Sequence, residues 1–155
     1  MKEFTTVPLE GIKRNALYGA FAVALVAMSG SLFYSQILHL PPCILCWFQR
    51  ICMYPLVIVL GAAVYKRSRD IVWPGIILAC IGWIISLYHN LLYYKILPEA
   101  VAPCQAGISC TTKWPGWLSS FPIPTQALVG FTLIIILLII YLKSTNETQN
   151  NDQRS

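Results

Sequence analysis

Long apolar stretches alternate with short polar ones along the whole chain. Asn15 to Leu38 carries no charged residue. Neither does Pro122 to Leu142, which ends in the unbroken run Leu133 to Leu142. In Ile71 to Tyr94 the one readily ionised side chain is His89. Ile51 to Tyr65 is shorter, but it reaches a similar length if extended back to Cys43, with Arg50 tolerated near its end. A hydrocarbon core about 30 Å thick takes about 20 helical residues. Over such continuous apolar stretches only helices satisfy their own backbone groups in lipid. The pattern therefore predicts an all-α membrane protein, a bundle of four transmembrane helices over about 15–38, 43–65, 71–94 and 122–142. Pro55, Pro74 and Pro124 fall in these spans without overturning them, because neighbouring helices re-satisfy freed carbonyls. The first run is too long for the apolar segment of a cleaved signal peptide, which is about 7–15 residues.

Composition sharpens this picture. Of the 155 residues 57% are hydrophobic and 11% charged, against about 25% charged in a soluble domain. That excludes intrinsic disorder and disfavours a soluble fold, which must present a polar surface. The length suits one domain. The net charge of +5 does not point to nucleic acid, because the basic residues stand in short groups between apolar runs. There they set membrane orientation. Lys2, Lys13, Arg14, Lys66, Arg67, Arg69, Lys143 and Arg154 fall on one side of the four spans. Arg50, Lys95 and Lys113 fall on the other. The positive-inside rule then puts both termini in the cytoplasm, with tails over 1–14 and 143–155, the latter polar and expected to be disordered. The 39–42 connection and the 95–121 loop face outward. Tyr93, Tyr94, Trp114, Trp117 and Phe121 lie on that outer side, where aromatic rings favour the interface.

This topology sorts the six cysteines. Cys43 and Cys46 fall at the outer end of span 2, and Cys104 and Cys110 in the outer loop. Both pairs face the oxidising side, where disulfides persist. Cys52 and Cys80 fall within spans and read as small packing residues. The first pair stands in Pro41-Pro42-Cys43-Ile44-Leu45-Cys46-Trp47-Phe48-Gln49-Arg50. Pro42 suits a first helical position, which sets Cys43 and Cys46 one turn apart on one face near a helix N-terminus. The helix dipole favours a thiolate there. Arg50, one turn beyond Cys46, adds a second favourable charge. A stabilised thiolate is what a redox dithiol needs and a structural disulfide does not.

Other chemistries fit less well. A zinc site with Cys104 and Cys110 as its second half has an unusual spacing and sits on the oxidising side. Haem attachment needs His after the second cysteine, and here Trp47 follows. A purely structural Cys-x-x-Cys bridge closes too small a loop to add much stability. Gly107 permits a tight backbone between Cys104 and Cys110. Charged or ionisable residues inside a membrane span mark functional sites by default. By helical rise Arg50 lies roughly 10 Å and His89 roughly 8 Å beneath the same surface. Two donors at that depth beside Cys46 suit an apolar ring bearing carbonyl oxygens.

With these residues in place, the sequence resembles the DsbB family of membrane thiol–disulfide oxidoreductases, most closely its shorter branch, often called BdbC. The resemblance is carried by Pro42 through Arg50, Met53-Tyr54-Pro55, His89 within Ser86-Leu87-Tyr88-His89, and Pro103-Cys104 with Cys110. It covers nearly the whole chain apart from the tails. It implies two redox disulfides, Cys43–Cys46 and Cys104–Cys110, and a relay. A thioredoxin-like extracytoplasmic oxidase (DsbA/BdbD-like) attacks the loop disulfide, with Cys104 forming the mixed disulfide. The Cys43–Cys46 pair reoxidises the loop, and Cys46 passes two electrons to a membrane quinone, menaquinone or ubiquinone. Arg50 and His89 contact the ring. The compact Cys104–Cys110 spacing departs from the longer branch, where that pair is widely separated. The competing readings are an enzyme of the vitamin K epoxide reductase type, whose Cys-x-x-Cys lies on a later helix, and a non-catalytic disulfide-braced scaffold, which does not require Arg50.

Overall fold

The computed structural model describes residues 3–97 and 121–153. Helix α1 spans Glu3–Leu32 and runs into a widened π-helical turn, Phe33–Ile37. Helix α2 spans Ile44–Lys66, α3 Val72–Tyr93 and α4 Ile123–Gln153. All four are long and apolar enough to cross a membrane, and no strand occurs among the described residues. The chain is a four-helix, multi-pass membrane protein, as the apolar pattern predicts. Each helix packs on its neighbours in sequence, and the most extensive contact is that of α4 against α1, which closes the ring.

The three prolines sit differently. Pro74 and Pro124 fall in the first turns of α3 and α4, where a missing N–H removes no helical bond. Pro55 alone of the three is interior, in α2. α1, α2 and α3 are each followed by a left-handed non-glycine residue, His39, Arg67 and Lys95. Arg67 N–H bonds the Ala63 carbonyl at 2.8 Å and closes α2.

The core follows the length of the bundle. Leu56, Leu60, Val72, Phe131, Ile134 and Leu138 are fully buried within it. In lipid, helices associate through close packing rather than through a hydrophobic drive, so small residues matter at the contacts. Ala16, Ala20 and Ala24 on α1 and Ala63 on α2 are buried there. Gly82 has the tightest approach, since a Cβ there would overlap the Phe131 ring.

Three sequence expectations change. Residues 143–153 continue α4 instead of forming a disordered tail. Extending an existing helix adds a hydrogen bond per residue without the penalty of nucleation, and Thr145 Oγ1 donates to the Tyr141 carbonyl at 2.8 Å. Pro42 is not the first helical residue: Cys43 is the N-cap, with extended backbone, and α2 starts at Ile44. Tyr93, expected at the outer interface, is buried, while Tyr94 and Phe121 are exposed. Tyr93 turns inward because its position on α3 faces the bundle, one helical turn after His89 and Asn90.

Candidate functional site

The C-terminal ends of α1 and α3 and the N-terminal ends of α2 and α4 meet at one end of the bundle. Polar side chains tie them together. Asn90 Nδ2 donates to the Pro124 carbonyl at 2.8 Å and to the Ser86 carbonyl at 2.8 Å. Its Oδ1 accepts from Thr125 Oγ1 at 2.8 Å. The Tyr34 hydroxyl donates to Gln126 Oε1 at 2.8 Å, joining α1's end to α4. Unpaired polar groups are costly where no water reaches them, so these bonds fix the helix ends relative to one another.

A cavity of about 670 Å³ opens within this frame. Its walls are chiefly apolar, from Val26 and Ala27 on α1, Met53 on α2, and Ala127, Gly130 and Phe131 on α4. Cys43, Cys46, Gln49, Arg50 and His89 line it too. Four residues singled out by sequence from two different helices are thus brought to one cavity. Cys104 and Cys110 lie outside the described residues, as do Trp114 and Trp117.

The two thiols of the Cys-x-x-Cys are adjacent. Cys43 Sγ and Cys46 Sγ are 3.0 Å apart, so closing the bond takes only a small movement. The N-cap position of Cys43 turns its side chain back over the first turn of α2, toward Cys46. His89 is 2% exposed. Its Nε2 lies 3.8 Å from Cys43 Sγ, and its Nδ1 lies 3.2 Å from Gln49 Nε2. The sequence assigns its favourable neighbours to Cys46, but the imidazole stands against Cys43.

Arg50 reaches across to α1, where its Nη2 donates to the Ser31 carbonyl at 2.9 Å. Its guanidinium also lies over the Trp47 ring, 5.6 Å from the centroid, a cation–π geometry. A guanidinium has five N–H donors in a rigid fork, so one bond to Ser31 orients the group while it still lines the cavity. The charge is thereby held at the cavity wall.

Sequence reasoning missed Gln49, Ser31, Tyr34 and Asn90. Gln49 precedes Arg50 in the motif and is a buried amide in an apolar span, which is the mark that identifies it. Asn90, next to His89, carries the same mark. Ser31 acts through its backbone carbonyl, so its side chain gives no sign. Cys52 is buried in the main core, as a packing residue would be.

The geometry can hold a flat, apolar molecule with hydrogen-bond acceptors beside the paired thiols of Cys43 and Cys46. Residues 13–141 match the family of disulfide bond formation protein DsbB. The chain is 40% identical over 124 residues to disulfide bond formation protein C of Bacillus subtilis (strain 168), covering 80% of this chain and 90% of the relative. It is 37% identical over 141 residues to probable disulfide formation protein C 2 of Bacillus cereus (strain ATCC 10987 / NRS 248), covering 91% and 99%. A probable disulfide formation protein of Metapseudomonas resinovorans is 38% identical over 137 residues, covering 87% and 94%. No solved structure matches the chain.

Proposed function

The chain belongs to the DsbB family of disulfide bond formation proteins and is a membrane oxidoreductase of disulfide bond formation, and we propose that it reoxidises an extracytoplasmic thioredoxin-like thiol oxidase (DsbA/BdbD-like) and delivers the electrons to a membrane quinone, menaquinone or ubiquinone. The observation that carries this reading is the meeting of the Cys43–Cys46 dithiol, Arg50 and His89 in one apolar cavity. The distribution of Lys and Arg supports a placement with both termini in the cytoplasm and this cavity toward the outer face.

The cavity fits a quinone ring in size, apolar lining and the position of its donors. Arg50 and His89 would hold the ring oxygens. When bound, the quinone supplies an acceptor for two electrons and two protons. The chain's residues do the rest. Cys43 and Cys46 lose two protons and two electrons as their disulfide forms. His89 Nε2, 3.8 Å from Cys43 Sγ, is placed to take the proton of that thiol. Gln49 lies against Nδ1, and with its carboxamide turned so that the oxygen accepts an Nδ1–H it leaves the Nε2 lone pair toward that thiol. The chiefly apolar walls leave Arg50, His89 and Gln49 among the few hydrogen-bonding groups facing the ring.

Exchange with the partner falls to the loop pair. The partner's thiolate attacks the Cys104–Cys110 disulfide, Cys104 forms the mixed disulfide and Cys110 leaves as a thiolate. The partner's second thiolate releases its own disulfide and leaves the loop pair reduced. The Cys43–Cys46 disulfide then oxidises the loop pair and is itself reduced to the dithiol. A strong terminal oxidant is required, since a DsbA-type oxidase sits near about −120 mV and each 30 mV is about 1.4 kcal/mol for two electrons. A glutathione pool is too reducing to serve.

The test is anaerobic. Purified protein is mixed with a reduced thioredoxin-like oxidase and a soluble quinone, and quinone reduction is followed optically. Turnover is expected, and it is lost in Cys46→Ser while membrane insertion is kept. Absence of turnover with a competent partner, or normal turnover in Cys46→Ser, contradicts the reading.

A further inference from the structure

The dithiol and His89 form a cluster with a chemistry that disulfide exchange does not use. Cys43, Cys46 and His89 each offer one donor atom suited to a thiophilic cation, and the three atoms lie within 4.8 Å of one another. A zinc ion is bound at about 2.3 Å by sulfur and about 2.0–2.1 Å by imidazole nitrogen. A tetrahedral site with those bonds separates two sulfurs by about 3.8 Å and a sulfur from a nitrogen by about 3.6 Å. Cys43 Sγ and His89 Nε2 are already 3.8 Å apart. The two sulfurs, 3.0 Å apart, need to open by less than about 1 Å to reach the ideal. Cys43 precedes the first helical residue, so a side-chain rotation there achieves this without disturbing α2.

The imidazole is also held from behind. The Gln49 carboxamide lies against Nδ1 at 3.2 Å. Rotated by a half-turn, it presents its oxygen to an Nδ1–H, which leaves the Nε2 lone pair facing the sulfurs. Metal-binding histidines are oriented in this way by a partner on the second ring nitrogen. Among the described residues Arg50 is the one Lys or Arg that lines the cavity. Two thiolates neutralise a divalent ion, so the filled cluster adds no net charge beside it. A zinc site built from Cys43, Cys46, Cys104 and Cys110 is disfavoured by spacing and by the oxidising side, where thiols are lost to disulfides; the site here belongs to the reduced dithiol alone. The third ligand here is instead His89, which α3 supplies and which sequence spacing does not reveal.

We propose that the reduced Cys43–Cys46 dithiol, together with His89, binds one Zn2+ ion and that the ion holds the protein in its reduced state. Two Zn–S bonds and one Zn–N bond form, and the two thiol protons pass to solvent. No electrons move. The fourth position faces the cavity and takes a water molecule. The disulfide form has no thiolate to offer and does not bind. The bound ion occupies the sulfur lone pairs that an oxidant must reach, so it slows closure of the Cys43–Cys46 bond by any disulfide reagent.

The experiment uses the full chain in detergent, reduced without oxygen and freed of reductant. Co2+ serves as the spectroscopic probe, followed by displacement with Zn2+. One equivalent of Co2+ is expected to give thiolate-to-metal charge-transfer absorption and the strong visible bands of a tetrahedral site. The disulfide form gives neither. The signal persists in Cys104→Ser/Cys110→Ser and is lost in Cys43→Ser/Cys46→Ser. Gln49→Leu weakens Zn2+ binding by about tenfold, the scale of losing a ligand's orienting partner, and His89→Ala weakens it further. In wild-type protein, stoichiometric Zn2+ slows thiol oxidation by a soluble aromatic disulfide, and a chelator restores the rate. Three results overturn the proposal: no absorption from the reduced protein, affinity unchanged in His89→Ala, or thiol oxidation at an unaltered rate with the ion bound. None of these readouts involves a quinone, so they stand or fall apart from the proposed electron acceptor.

Discussion

The two ends of the bundle are held together by different means. At the end bearing Cys43 and Cys46, the helices are joined by specific polar bonds around a cavity. Asn90 reaches Pro124 and Thr125, Tyr34 reaches Gln126, and Arg50 reaches the Ser31 carbonyl. At the opposite end, small and aliphatic residues fill the interior. Ala16, Leu17, Ala20, Leu60, Ala63, Val72 and Leu138 are buried there. The contrast follows from what each end must do. A cavity removes packing contacts, which are the main source of helix association in lipid. Directional hydrogen bonds compensate where the packing is interrupted. The close-packed end thus supplies stability, and the polar end supplies a site whose shape is fixed without being filled.

This division can be broken from either side. The largest stability effect is expected at the packed end. Leu60 is fully buried and sits beside Gly75 of α3. Leu60→Ala should destabilise the bundle by about 2 kcal/mol, the low end for a buried leucine because the lipid-facing reference removes part of the transfer contribution. Thermal unfolding in detergent measures the loss, and the quinone KM should not move. A changed KM with little loss of stability would erase the distinction between the two ends.

The next effect belongs to the site. Arg50→Ala removes a guanidinium from the cavity wall and should raise the quinone KM about tenfold, equivalent to about 1.4 kcal/mol. Steady-state kinetics at varied quinone and at varied partner protein separate the two substrates. If only the partner's kinetics changed, the quinone would not lie against Arg50. The smallest effect is expected at mid-bundle, where Trp83 Nε1 donates to Thr132 Oγ1 at 3.0 Å. Thr132→Val should lower stability by about 0.6 kcal/mol, the average for an interhelical bond in a membrane, and leave turnover unaltered. A large activity loss there would mean that the polar frame extends further from the cavity than the described bonds indicate.

Much of this arrangement was legible from sequence because the bilayer imposes simple rules. Four long apolar runs mark four helices: the bounds of α2 and α3 fall within a few residues of those runs, while α1 begins earlier, at Glu3, and α4 runs on to Gln153. Arg50 and His89 stood out because each breaks an apolar run, and both do line one cavity. Local geometry was harder. Pro42 suggested a first helical position, yet the helix begins only after Cys43, because the cysteine takes extended backbone as the N-cap. Residues 143–153 read as disordered from their polarity, but they extend α4, whose preceding turns already provide the nucleus. The Gln49–His89 contact was invisible because residues 40 positions apart meet only when α2 and α3 pack. The Arg50–Ser31 bond was hidden for a different reason: a backbone carbonyl leaves no mark in a sequence.

The most direct measurement is a thiol count on the Cys104→Ser/Cys110→Ser protein, reduced, held without oxygen and given one equivalent of soluble quinone. Removing the loop pair leaves Cys43, Cys46, Cys52 and Cys80 as the cysteines. The expected result is two thiols lost for each quinone reduced, with peptide mapping placing the new disulfide between Cys43 and Cys46. Thiols that stay intact while the quinone stays oxidised, or a loss that maps to Cys52 or Cys80, would contradict the assignment of this dithiol as the electron donor.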